Sequence, residues 1–154
     1  MSTLNTSITL KNFSDFSPLE LYELMQARVA VFIVEQQCLY QDLDGLDPKC
    51  QHLIMRDSIG ALLAYARIVP PGLAYEEIAI GRVITTQAGR GKGLASQLMQ
   101  AAIAECEAQG ARRIRISAQA HLQKFYQSCG FTTASEPYDE DGIAHVEMVW
   151  ISEA

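Results

Sequence analysis

The sequence predicts one mixed domain of the α/β (α+β) kind, with helices flanking a central sheet. Three observations carry this expectation. Helical and strand-like periodicities alternate in the order α-β-β-β-α-β-α-β-β. The 154 residues suffice for one domain, with no repeat, low-complexity run or linker to divide 1–154 into two. The composition, 49% hydrophobic and 19% charged, is that of a chain able to bury a core.

The elements follow in order. Residues 1–7 are small and polar and are expected to be loose, with a first strand at Ile8 to Lys11. Ser17-Pro18-Leu19-Glu20 is a helix start: Ser17 as cap, Pro18 in the first turn, Glu20 closing a capping box. Leu21, Leu24, Met25, Arg28, Val29 and Phe32 continue the helix, with room for a bend, to about Glu35. Tyr40 to Cys50 holds Asp42, Asp44, Gly45, Asp47 and Pro48, the residues of a loop. His52 to Arg56 and Ala61 to Val69 read as a hairpin, and Pro70-Pro71-Gly72 breaks it. Glu77 to Thr85 is a central strand in which Gly81 suggests a bulge or a close backbone approach. Leu94 to Gln109 puts Leu94, Leu98, Ala102 and Cys106 on one helical face, and Gly110 ends it. A strand at Arg113 to Ala118, a short helix at His121 to Cys129 and a terminal hairpin ending in Ala144 to Ile151 complete the chain.

Bulk properties narrow the function. A net charge of −6 argues against non-specific nucleic-acid binding. No apolar stretch reaches the roughly 20 residues of a membrane span, so no membrane partner is expected. The N-terminus lacks the basic and apolar regions of a secretion signal, and Cys38, Cys50, Cys106 and Cys129 have no CxxC spacing, so the expected setting is cytoplasmic. Cys38, Cys50 and His52 have irregular spacing and no evident fourth ligand, so no metal is expected.

The chemistry concentrates at Gln87-Ala88-Gly89-Arg90-Gly91-Lys92-Gly93, between the central strand and the long helix. Alternating glycines let the backbone turn its amides toward one point. A helix start adds unpaired N–H groups and a positive dipole end. With Arg90 and Lys92 the loop suits a diphosphate, which an acidic protein can then hold by local attraction. It is neither a Walker loop nor a GxGxxG fingerprint.

Arg90, Gly93 and Ala95 occupy the specified places of the [RQ]xxGx[GA] signature, and downstream come Gln119 and Tyr126-Gln127-Ser128-Cys129-Gly130-Phe131. Together these resemble the GNAT superfamily of N-acetyltransferases, in which Asn is common where Gln119 stands. Residues Arg28 to Gln36, Asp42-x-Asp44, Ile80-Gly81-Arg82-Val83 and Gln119-Ala120-His121 extend the resemblance to the ElaA-like branch, over about residues 10 to 150.

The resemblance implies a mixed central sheet splayed between two parallel strands, and transfer of an acetyl group from acetyl-CoA to a primary amine. It assigns the pantetheine-pairing backbone to Val83, Ile84 and Thr85. The diphosphate falls to the amides of Arg90, Gly91, Lys92, Gly93, Leu94 and Ala95, and a further cofactor contact to Gln119. Tyr126 stands where the leaving thiol is commonly protonated; the other reading is a core aromatic. Glu35 is the chosen candidate for general base, ahead of Glu77, His121 and His145, with water as a further option. Asp42, Asp44, Arg82 and His121 are the candidates for acceptor contact. Arg28 and Arg82 could equally order the acidic loop, and Asp42, Asp44 and Asp47 could equally serve as turn residues.

Two other functions fit part of the pattern. Arg28, Phe32, Asp42, Asp44, Asp47 and Arg82 also resemble autoinducer synthases, which share the fold but lack the Arg90 to Ala95 signature. An acyl-CoA-binding regulatory domain without turnover would keep the loop and lose Tyr126. The acceptor, small molecule or peptide, stays open, as does a homodimer.

Overall fold

The capping box at Ser17 forms as expected. Ser17 Oγ accepts the Glu20 N–H at 3.1 Å and Glu20 Oε1 accepts the Ser17 N–H at 3.0 Å, which satisfies two amides that a helix start leaves free. In this computed structural model, which describes residues 5–153, strand β1 (Thr6–Asn12) precedes helix α1 (Pro18–Val29). Thr6 and Ser7 therefore belong to a strand paired with β2 and are not loose; of the expected loose segment, 1–4 lie outside the described residues. Leu24 and Arg28, four residues apart, form the buried face of α1. In place of a bend, the helix widens into a π-helical turn at Ala30–Glu35, with the Gln36 and Cys38 amides bonded five residues back to Val31 and Ile33.

Strands β2 (Gln51–Asp57), β3 (Leu62–Val69) and β4 (Ile78–Thr85) form an antiparallel meander beside β1. Helix α2 (Leu94–Ala108) then crosses one face of the sheet to β5 (Arg113–Gln119). Helix α3 (Gln123–Ser128) and strands β6 (Thr132–Thr133), β7 (Tyr138–Glu140) and β8 (Ile143–Ile151) complete the chain. The strand order is β1-β2-β3-β4-β5-β8-β6, with β7 paired to β8. This is the expected mixed α/β fold, with element ends shifted by a residue or two.

The two faces follow from alternation along the strands. Leu53, Met55 and Ala66 face α2, where Leu98, Met99, Ala102 and Cys106 complete the main core with Tyr126 and Phe131. Ile54, Leu62, Tyr65 and Ile84 face α1 and meet Leu24, Met25 and Phe32. Every residue of β3 is buried, as befits the centre of a sheet covered on both sides.

Two departures from regularity position the site. Strands β4 and β5 are parallel and pair only at Ile78 with Ile114 and Ala79 with Arg115; beyond these residues they part. At the same place β4 carries a bulge: Tyr65 pairs with Ile84 and Arg67 with Gly81, so Arg82 and Val83 oppose Ala66 alone. The residue with left-handed backbone is Arg82, at φ +51°, and not the neighbouring Gly81. A non-glycine residue there costs about 1–3 kcal/mol unless its surroundings hold it.

Candidate active site

The parted strands open a cleft of about 510 Å³. Gly81, Arg82 and Val83 line it from β4, and Ser117 and Gln119 from β5. Tyr126 projects from α3, Phe32, Gln36 and Tyr40 from the segment after α1, and Glu140 and His145 from the β7–β8 hairpin. Gln119 donates from Nε2 to Gln36 Oε1 at 3.2 Å, which ties the end of β5 to the end of the π turn.

The glycine loop is anchored before it opens. Thr86 N–H donates to the Leu63 carbonyl at 2.9 Å and Thr86 Oγ1 to Leu62 O at 2.6 Å. Gly89 is pressed on the same strand: a Cβ there would lie 2.2 Å from Leu63 O, so no side chain fits. Gly91 and Gly93 have left-handed φ values of +74° and +70°, with open space where a Cβ would stand. Gly93 caps α2, and buried Leu94 fixes the helix start to the core. The first four amides of α2 have no intrahelical partner, a set of donors suited to an anion. Lys92 Nζ donates to Ala88 O at 2.9 Å, folding its charge over the loop. Val83 lines the cleft, whereas Ile84 turns to the α1 face and Thr85 O accepts from Arg90 Nε at 3.3 Å.

Tyr126 is 8% exposed and sits edge-on to Phe125 and Phe131. Burial pushes its phenol up to about 12, so it keeps its proton throughout the neutral range. Glu35 lies at the end of the π turn but does not line the cleft; its carboxylate pairs with Arg90 Nη2 at 2.6 Å. Glu77 is gripped by Arg115, with contacts of 2.9 to 3.1 Å, and that hydrogen bonding holds it below the usual carboxylate range. His121 is exposed on the turn before α3, outside the cleft. His145 is in it, 8% exposed, on the strand residue that pairs with Gln119.

The aspartates of the Tyr40 to Cys50 loop are engaged by arginines from the core elements. Asp42 Oδ2 meets Arg28 Nε at 3.0 Å, and Oδ1 meets Arg82 Nε at 2.8 Å and accepts from the Tyr40 hydroxyl at 3.1 Å. Asp47 receives Arg28 Nη1 at 2.7 Å and Arg67 Nη1 at 3.0 Å. Asp44 receives both Nη atoms of Arg67, at 2.9 and 2.8 Å, and lies 3.3 Å from Arg82 Nη2. Burial alone would raise Asp44, but the Arg67 hydrogen bond, the Leu46 amide and the two arginine charges outweigh it and hold the group at about 2. Asp42 and Asp47 do not line the cleft; Asp44 and Arg82 reach its edge. Of the two readings open for Arg28 and Arg82, loop ordering is what the geometry displays.

His52, which the sequence places beside two cysteines, is fully buried with both nitrogens used: Nε2 donates to Asp47 O at 3.0 Å and Nδ1 accepts from Tyr65 at 2.6 Å. Desolvation lowers its pKa and keeps it neutral. Sequence reasoning missed Arg67, although an arginine inside the apolar run Leu62 to Val69 was the signal for a buried charge partner. It also missed Ser117, Tyr138 and Glu140, a polar cluster in which Ser117 Oγ bonds the Tyr138 hydroxyl. Ser117 lies on the expected strand, but the short strand of Tyr138 and Glu140 that meets it carried no periodic signal.

The profile of the acetyltransferase (GNAT) domain matches residues 14–152. Escherichia coli ElaA is 44% identical over 138 residues, covering 88% of this chain and 90% of that protein. A UPF0039 protein of Synechocystis is 41% identical over 141 residues, covering 91% and 92%. Among solved structures, an acyl-CoA N-acyltransferase from Pseudomonas aeruginosa superposes with a TM-score of 0.87 at 41% identity, covering 96% of this chain and 99% of that one. Crystalline E. coli ElaA gives 0.86 at 40% identity, covering 94% and 99%.

Proposed function

The chain belongs to the GNAT acetyltransferase family, in the group that includes ElaA, and from that membership we propose that it transfers an acetyl group from acetyl-CoA to a primary amine. The observation that carries the reading is the gap between β4 and β5, lined by Tyr126, with the anchored glycine loop leaving the end of β4. A thioester donor supplies an activated acyl carbon and a thiolate leaving group; the rest is the work of this chain's residues.

The fit is chemical. Beyond Ala79 and Arg115 the facing edges of β4 and β5 have parted, and exposed edge backbone suits an amide-bearing arm. The amides from Arg90 to Ala95, with Gly91 and Gly93 bent left-handed, suit a diphosphate at the start of α2. Gln119, fixed by Gln36, presents an amide beside the arm's path. Tyr126, held protonated, gives its hydroxyl proton to the leaving sulfur. Glu35 neutralises Arg90 and so aligns a guanidinium with the loop, a role its position outside the cleft favours over proton abstraction. Asp42, behind the cleft, and Arg82, in its lining, hold the Tyr40 to Cys50 loop in place, leaving Asp44 at the rim to attract a cation. His121, on the outer surface, is assigned no acceptor contact.

Two measurements test this. Millimolar acetyl-CoA should raise the melting temperature, by linkage between binding and folding. A panel of primary amines, scored by release of free thiol from acetyl-CoA, should contain acceptors. No thermal shift, or no thiol release with any amine, would sink the reading.

A further inference from the structure

Amine acylation needs one more proton transfer. A primary ammonium has no lone pair, so a proton must leave before nitrogen can attack. We propose that His145 takes that proton and that Glu140 passes it to solvent. The inference rests on the acyl-transfer reading above and gives it a base.

The ring is committed to one tautomer by its own strand. His145 Nδ1 lies 2.8 Å from the Ile143 carbonyl, which can only accept, so Nδ1 carries the hydrogen. The lone pair of the neutral ring is then on Nε2. Nε2 lies 3.3 Å from Glu140 Oε2. A lone pair facing a carboxylate oxygen is a pair of acceptors one proton short, and an ammonium N–H is the donor it lacks. Tyr138 stacks on the ring, centroids 6.1 Å apart and planes within 25°, and so fixes its orientation. Glu140 has a side chain 50% exposed, which gives the proton an exit, whereas the imidazole side chain is only 10% exposed.

The other candidates are occupied or elsewhere. Glu35 and Glu77 are tied to Arg90 and Arg115, His52 is buried with both nitrogens engaged, and His121 is outside the cleft. Tyr138 and Glu140 on β7 contact the His145 ring, and the cleft it lines also carries Cys38, Tyr40, Asp44, Arg67, Tyr75, Arg82, Tyr126 and Asp141. Cys38 Sγ donates to Asp141 O at 3.1 Å, which pins the hairpin turn to the end of the π turn.

The protons balance. The ammonium gives its first proton to Nε2, and through Glu140 to water. The neutral amine forms the C–N bond as the C–S bond breaks. Nitrogen then loses its second proton to Nε2, which Glu140 has freed, and Tyr126, having given its own proton to sulfur, regains one from solvent. Amide, free thiol and one released proton result.

The test has two arms. In protein labelled with 15N-histidine and free of ligand, long-range 1H–15N spectra should show neutral His145 with its proton on Nδ1, the signal being identified by its loss in H145Q. With the best amine of the panel, H145Q should lower kcat by at least ~100-fold. Acetyl-CoA affinity should be unchanged, and the acidic limb of the pH profile should vanish. E140Q, which removes the carboxylate that carries the proton out, should lower kcat and leave acetyl-CoA affinity unchanged. A neutral Nε2–H tautomer, or an H145Q variant with undiminished turnover and an intact limb, overturns the proposal alone. Failure of every amine to release thiol counts against acyl transfer itself and takes this step with it.

Discussion

Arg82 Nε lies 2.8 Å from Asp42 Oδ1, a contact that joins the bulge of β4 to the acidic loop. Arg82 holds a left-handed φ of +51°, and Asp42 is 3% exposed, so the ion pair and the backbone strain occupy one place. Arg82→Gly should therefore be more stable than Arg82→Ala, by about 1 kcal/mol, because glycine adopts that backbone freely. Both lose the ion pair, so chemical denaturation of the two variants isolates the strain.

Arg28 is fully buried between Asp42 and Asp47. Arg28→Met removes the partner and leaves two buried carboxylates facing Arg67 and Arg82 alone. Breaking a buried pair in this way costs about 3–5 kcal/mol. Urea unfolding should show a loss of that size.

Asp44 links stability to acid. Its carboxyl sits at about 2, below the ordinary 3.8 of a free aspartate, so the unfolded chain binds the proton more readily. The stabilisation is complete above pH ~5 and is lost as pH falls through the folded value near 2. Asp44→Asn should flatten the fall in melting temperature between these limits; an unchanged acid profile would contradict the assignment.

Gly89→Ala places a methyl group 2.2 Å from Leu63 O, where the obstacle is backbone. Overpacking of this kind costs about 1–3 kcal/mol. It also lifts the glycine loop off β3, so thermal stability and acetyl-CoA affinity should fall together.

Tyr126→Phe keeps the ring between Phe125 and Phe131 and removes only the hydroxyl. The expected result is a kcat lowered by about 100-fold with an unchanged donor affinity. Because burial pushes the phenol to about 12, its ionisation should cause no alkaline loss of rate below pH ~11. Stopped-flow rates across that range check both points.

Much of this architecture was legible because local chemistry set it. Ser17, Pro18 and Glu20 define a helix start without tertiary help, and Gly91 and Gly93 mark a left-handed turn into α2. The loop with Arg90, Gly93, Ala95 and Tyr126 announced the family from separated segments. What was not legible depends on long-range partners. Nothing near Arg67 in sequence says that Asp44 and Asp47 will meet it. Gly81 pointed to a bulge, but the strained residue is Arg82, because its side chain finds two carboxylates and glycine has none to offer. Glu35 is the base candidate in the sequence, yet Arg90, 55 residues on, lies beside its carboxylate.

The two residue pairs that join β4 to β5 divide the molecule along its own chain order. Residues 6–85 build four strands in chain order and 113–151 the strands gathered around β8, and the backbone passes between the two groups once, through α2. Each group carries its own part of the sheet, so the protein is a natural candidate for splitting. Two fragments cut within the α2–β5 turn near Gly110 could reassemble across that seam, and a ligand laid along the gap would act as the rivet that reports their union.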